Sequence, residues 1–161
     1  MASRKPLVII SGQLQEIPAG DSISVAADEV DVLTRTNANA GSIVIGCPVY
    51  ASVAGSVDKA NASAIASSKC IGLVADTSIA AAASGNIQCD GILVATTGQW
   101  DAITGQTGGL TVNAMYYLDT TAGELTSTAP SASGNYVVRV GIALSTTELK
   151  IAIDLNSVLL A

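Results

Sequence analysis

The chain has 161 residues, room for one domain or for one domain with an arm. Thirteen acidic against seven basic residues give a net charge of −6, which excludes the basic surface a non-specific nucleic-acid binder needs, and the absence of histidine excludes every mechanism built on an imidazole base, proton shuttle or metal ligand. Only 12% of residues are charged, there is no phenylalanine, and 26 Ala, 15 Gly, 17 Ser and 14 Thr dominate, so the core has to be built from Val, Ile, Leu and Ala.

The N-terminus is basic through Arg4 and Lys5. Pro6 and the apolar run Leu7-Val8-Ile9-Ile10 follow, and the polar Ser11, Gln13, Gln15 and Glu16 come at once after them. Four apolar residues are too few for a signal-peptide core. Leu7 to Ile10 reads as a strand, either the domain's own first strand or an arm that pairs elsewhere. Pro18-Ala19-Gly20-Asp21-Ser22 is turn chemistry, and Ile23, Val25, Val30, Val32 and Thr34 suggest two further short extended pieces. Residues 1–35 also hold five acids (Glu16, Asp21, Asp28, Glu29 and Asp31) and read as an arm or lead-in hairpin, with residues 36–161 as the domain.

From Gly41 onward, short β-branched runs alternate with Gly, Asn, Ser and Pro turns, the pattern of a barrel or sandwich. The runs are Ser42 to Val53, Cys70 to Ala75, Asn86 to Thr96, Ala114 to Asp119, Gly123 to Thr126, Asn135 to Ala143 and Glu148 to Leu155. The longest charge-free stretch, Thr36 to Val57, is interrupted by Asn37, Asn39, Ser42, Pro48 and Ser52, so it is no membrane span. Asp58 to Ala66 fits either one or two helical turns or an irregular loop. Ile79-Ala80-Ala81-Ala82-Ala83 has helical propensity but is too short to hold alone, which favours a tight connection between strands. Period-two alternation is clearest in Tyr136 to Ile142 and in Leu149 to Leu155, where Lys150 and Asp154 face away from the apolar odd positions. These two runs, joined across Ser145-Thr146-Thr147, predict a hairpin.

Little in the sequence suggests reaction chemistry. The acids of the domain (Asp58, Asp76, Asp90, Asp101, Asp119, Glu124, Glu148 and Asp154) sit beside Gly, Thr, Ala or Asn, as turn-capping carboxylates do, rather than as an acid–base pair. Gly105-Gln106-Thr107-Gly108-Gly109 lacks the lysine and following hydroxyl of a phosphate-binding loop and reads as a turn between strands. Asn61-Ala62-Ser63 carries little meaning as a glycosylation sequon without a secretory signal. Cys47, Cys70 and Cys89 are odd in number and widely spaced, which favours buried free thiols made in a reducing cytoplasm over a zinc site or a disulfide framework. Trp100, the single tryptophan, lies among turn residues and is either an interface anchor, a sugar platform or a plug over the barrel end. Tyr116 and Tyr117 point to opposite faces of a strand, so at most one is core.

Gly98-Gln99-Trp100-Asp101-Ala102-Ile103-Thr104-Gly105 with Gly108-Gly109-Leu110-Thr111 resembles a module recurrent in virion proteins of tailed bacteriophages. Tyr116-Tyr117-Leu118-Asp119 leading through Gly123-Glu124-Leu125-Thr126 to Ala129-Pro130, and then Tyr136 to Ser145, are similar to the same module. So are Gly46-Cys47-Pro48-Val49-Tyr50, Ile71 to Ala75 and Ile79 to Gly85. The likeness runs over residues 42–155, and its Trp-Asp and Tyr-Tyr-Leu signatures are the specific part.

Proteins of this kind are capsid decoration, or cement, proteins, or they form the base of head and tail fibres. The resemblance implies an all-β fold, a small barrel or sandwich of the jelly-roll or β-tulip kind with an extended N-terminal arm and at most one short helix. It also implies no catalysis, cofactor, metal or small-molecule substrate, and a place on the virion capsid surface after synthesis in the host bacterial cytoplasm. The expected partners are the major capsid protein and sister copies, as a trimer at three-fold positions first and a dimer across two-folds next, with no nucleic acid or membrane. A fibre would carry a shaft after the module, so the short chain favours cement over a fibre base. A carbohydrate-binding module is the third reading. The expected contact residues are Arg4, Lys5, Pro6, Leu7, Val8, Ile9, Ile10, Trp100 and Tyr117.

Overall fold

The computed structural model describes residues 7–10, 13–16, 30–154 and 158–160. The fold is all-β, with one short helix among the described residues. β1 (Leu7–Ile10) and β2 (Gln13–Glu16) pair antiparallel as a two-stranded sheet of their own, Leu7 opposite Glu16 and Ile10 opposite Gln13. Leu7–Ile10 is thus a strand, as its apolar run suggests, while Arg4, Lys5, Pro6 and the turn expected at residues 18–22 lie outside the described residues.

The first half of the body runs β3 (Val32–Asn37), β4 (Ile43–Val44), β5 (Pro48–Val53), β6 (Ser56–Lys59), β7 (Cys70–Val74), β8 (Ser78–Ile79) and β9 (Ser84–Gln88). Five of these close a barrel in the order β3-β6-β5-β7-β9. Closure depends on one parallel pair, β3 with β6, where Asn37 stands opposite Val57; the other neighbours are antiparallel. A closed barrel leaves no free edge to aggregate. β4 and β8 add a two-residue pair, Ile43 opposite Ile79. β3 already pairs with β9 from Val32, so the strand runs unbroken through residue 35 and the expected domain boundary falls inside it.

The second half runs β10 (Ile92–Val94), α1 (Thr97–Thr104), β11 (Met115–Leu118), β12 (Leu125–Thr126), β13 (Tyr136–Val137), β14 (Arg139–Ala143), β15 (Glu148–Ile151) and β16 (Val158–Leu159). Its main sheet has the order β10-β15-β14-β11-β12, and β13 pairs with β16 separately. The hairpin across residues 145–147 forms as expected, with Gly141 opposite Ile151 and Ala143 opposite Leu149. Alternation along β15 buries Leu149 and Ile151 and leaves Lys150 on the other face.

Both halves share one core. Val49, Val57, Leu73 and Ile87 from the barrel join Leu118, Leu125, Val140, Leu149 and Ile151 from the sheet, with Trp100 and Tyr116 as the largest members. Apart from those two rings and the thiols of Cys47 and Cys70 the buried core is aliphatic, as the composition requires.

Several local expectations change. Ser42 to Val53 is two strands, broken where Gly46 takes φ +82°. Asp58 and Lys59 end β6 and residues 60–69 form turns, the irregular-loop alternative, while the one helix among the described residues lies at Thr97–Thr104, where a turn was expected. Its cause is a capping box. The Thr96 side chain accepts from the Gln99 N–H while the Gln99 side chain accepts from the Thr96 N–H, satisfying donors that would otherwise be orphaned. Gly105, at φ +65° in the left-handed conformation, ends it.

Candidate interaction surfaces

Trp100 is held from three sides. α1 presents it inward, and its six-membered ring lies over Gly46, where an added Cβ would stand 2.9 Å from Trp100 Cζ3. Its indole N–H donates to the Thr147 carbonyl at 3.0 Å. The Thr147 carbonyl also accepts the Ala95 N–H, and the Thr146 carbonyl accepts the Leu110 N–H. The turn between β14 and β15 is thus the point on which the helix, its following loop and β10 converge. Trp100 is 0% exposed. That corrects its candidacy as a partner contact or sugar platform: its polar edge is satisfied and its faces are covered within this chain. Gly46 donates to Val74 at the end of β7, so the ring packs against one end of the barrel, as the plug reading has it.

The tyrosine pair separates as alternation requires. Tyr116 is fully buried; its hydroxyl accepts the Thr111 N–H at 2.9 Å and donates to Gln106 Oε1 at 2.6 Å. Tyr117 is half-buried on the opposite face of β11, beside Arg139 on one side and Thr126 on the other. Of the two ring candidates, Tyr117 alone reaches the surface.

Gly105 to Gly109 does not join two strands, as expected, but leads from α1 toward β11. It forms a small nest whose occupant is internal: the Asp101 carboxylate accepts the N–H groups of Gly108 at 3.2 Å and Gly109 at 2.6 Å. Asp119 caps its own turn, whereas Asp58 lies within β6 and Asp76 reaches across to β9. Asp76 accepts from the Asn86 backbone and side-chain amide, Asp58 from the Lys59 N–H and Asn39 Nδ2, and Asp119 from the Thr121 N–H.

The three thiols are free. Cys47 and Cys70 are buried, and burial pushes both up to about 12, with Lys59 partly offsetting the effect at Cys47. Cys89 departs from the expectation of full burial: it is half-exposed, and desolvation followed by the Asp31 charge raises it. Cys70 and Cys89 line an open cavity of about 410 Å³ between β7 and the end of β15. Among the described residues there is no group of three metal-ligating side chains, and no helix is long and apolar enough to cross a membrane.

The surface carries more apolar area than sequence reasoning located. Val53 is 65% exposed, Val94 and Val158 59%, Val112 and Leu159 56%, and Ile65 51%. In the sequence Val53, Val94 and Ile65 stand only as members of longer runs, and Val112, Val158 and Leu159 fall outside every run singled out; their facing depends on which strand pairs with which. No protein-family model matches the chain, and no curated protein is similar enough to count as a relative.

Proposed function

We propose that the chain is a structural virion protein that binds the outer surface of a tailed-phage capsid and stabilises the expanded shell by bridging capsid subunits. The observation that carries this reading is the exposed apolar set, Val53, Val94, Val112, Val158 and Leu159, on a chain with only 12% charged residues. Apolar surface of this kind associates, and a shell lattice supplies repeated surfaces against which to bury it. The segments bearing the resemblance also belong together. Residues 98–111 form α1 and its loop, residues 116–130 contain β11 and β12, and residues 136–145 contain β13 and β14, with Trp100 tying the first to the hairpin turn of the last.

The mechanism is linkage. A protein that contacts two capsid subunits only in their expanded arrangement binds that state more tightly and shifts the equilibrium toward it. The major capsid protein is the partner, and Arg4, Lys5, Pro6 and the strand Leu7–Ile10 are the segment that reaches it or a sister copy. The role requires no cofactor, metal or chemical step.

Shells lacking this chain provide the test. Purified protein is expected to co-sediment with expanded shells and raise their melting temperature, and to bind unexpanded shells weakly. Equal binding to both states, or none, contradicts the proposal. Removing residues 1–12 is expected to weaken binding; unchanged binding would remove the arm from the contact.

A further inference from the structure

We propose that two copies of this chain pair edge to edge through β10, across a two-fold axis at Leu93, to make one continuous sheet; this stands independently of the capsid reading. Among the described residues β10 is the last strand of its sheet, paired on one side only, with β15. The register fixes which backbone groups remain free. Ile151 donates to the Gly91 carbonyl and Ala95 to the Thr147 carbonyl, so the odd-numbered residues 91, 93 and 95 turn their N–H and C=O groups toward β15. Ile92 and Val94 therefore direct theirs outward, one residue either side of Leu93.

That arrangement is self-complementary. With Leu93 on the axis, Ile92 of one copy stands opposite Val94 of the second and forms a hydrogen-bonded antiparallel pair with it. The symmetric pair forms as well, so both outward residues of each copy are satisfied. Side chains agree with this. Leu93 is buried at 4%, and Ile92 and Val94 are exposed at 37% and 59% on the other face, where the two-fold brings them together as β-branched cross-strand neighbours.

Charge points to the same symmetry. Lys150 stands opposite Ile92 in the sheet and Glu148 opposite Val94. The two-fold thus builds the row Lys150, Ile92, then Val94 and Glu148 of the second copy, so each apolar pair is flanked by opposite charges. A parallel pairing would align like charges instead. The edge itself carries no lysine, proline or bulge, the usual guards against strand addition. At the other edge β12 is two residues long and runs into a turn that the Thr126 hydroxyl closes by accepting the Thr128 N–H. The resemblance puts a trimer ahead of a dimer; the β10 edge favours the dimer.

Light scattering on the full chain, at concentrations up to about 1 mM because small interfaces bind weakly, is expected to show twice the 16.0 kDa chain mass. Val94→Pro removes an outward N–H that the chain's own ladder does not use, and is expected to give a monomer with an unchanged circular dichroism spectrum. As a second route, the Ile92→Lys/Val94→Lys and Ile92→Glu/Val94→Glu variants are each expected to be monomeric alone and to form a one-to-one heterodimer when mixed. A wild-type monomer or trimer, a Val94→Pro dimer, or charge variants that fail to pair would each overturn the proposal.

Discussion

The indole N–H of Trp100 and the carbonyl oxygen of Thr147 lie 3.0 Å apart across 47 residues of sequence. The bond joins the helix to the hairpin turn and holds the ring over Gly46. Trp100→Phe keeps most of the packing but removes the donor. It is expected to cost about 1–2 kcal/mol, because the Thr147 carbonyl keeps its second bond, from Ala95. Trp100→Ala also opens a cavity and is expected to cost about 3–5 kcal/mol. Denaturant unfolding checks both, and equal losses from the two variants would show that the packing contributes little.

Buried Trp100 makes a second expectation direct. Its fluorescence is expected to be blue-shifted, resistant to iodide quenching, and unchanged on titration with host glycans, since the ring has no exposed face. A glycan-dependent shift would restore the carbohydrate-binding reading.

Asn37 is 1% exposed and ties three segments together. Its amide donates to the Gly41 and Ile79 carbonyls, both at 2.9 Å, and its side-chain oxygen accepts the Asn39 N–H at 2.8 Å. Asn37→Leu leaves those groups unpaired in the interior and is expected to destabilise by about 2–4 kcal/mol, each lost bond costing ~1–3 kcal/mol before relaxation. Thermal melting reads the loss; a change under 1 kcal/mol, below that ~1–3 kcal/mol range, would mean that water replaces the amide.

The thiols predict an alkaline limit to stability. Burial holds Cys47 and Cys70 protonated to about 12 in the folded chain, while both titrate near 9 when unfolded. Above pH 9 the unfolded state releases protons that the folded state keeps, so stability is complete below 9 and falls as pH rises toward 12. The slope is about 1.4 kcal/mol per pH unit for each thiol. Cys47→Ala/Cys70→Ala is expected to flatten the pH profile between those limits. In the folded wild type, Cys89 is expected to react first with a thiol reagent because it is the least buried of the three.

The parts of the fold that are legible in the sequence are those set by local pattern. Alternation in Leu149 to Ile151 and in Tyr116-Tyr117 gives the right facing, because one side of each strand meets the core. Asp119 as a turn cap is legible from the threonines that follow it. The helix at Thr97–Thr104 is missed although Thr96 and Gln99 carry its signal; glycine at position 98 and a strand-rich context outweigh a capping box on an eight-residue helix. The barrel's closure through parallel β3 and β6 has no local signature, since it brings Asn37 beside Val57 by topology alone. The exposed apolar set and the open β10 edge are hidden for the same reason: Ile92-Leu93-Val94 is only part of the Asn86 to Thr96 run until its place at the end of the sheet is known.

Counting this chain in purified particles against the major shell protein tests the central claim most directly. Lattice decoration predicts parity or a simple fraction of it. A few copies per particle would contradict decoration and move the chain to a vertex or tail as a fibre base, and its absence from the particles would contradict a virion role altogether.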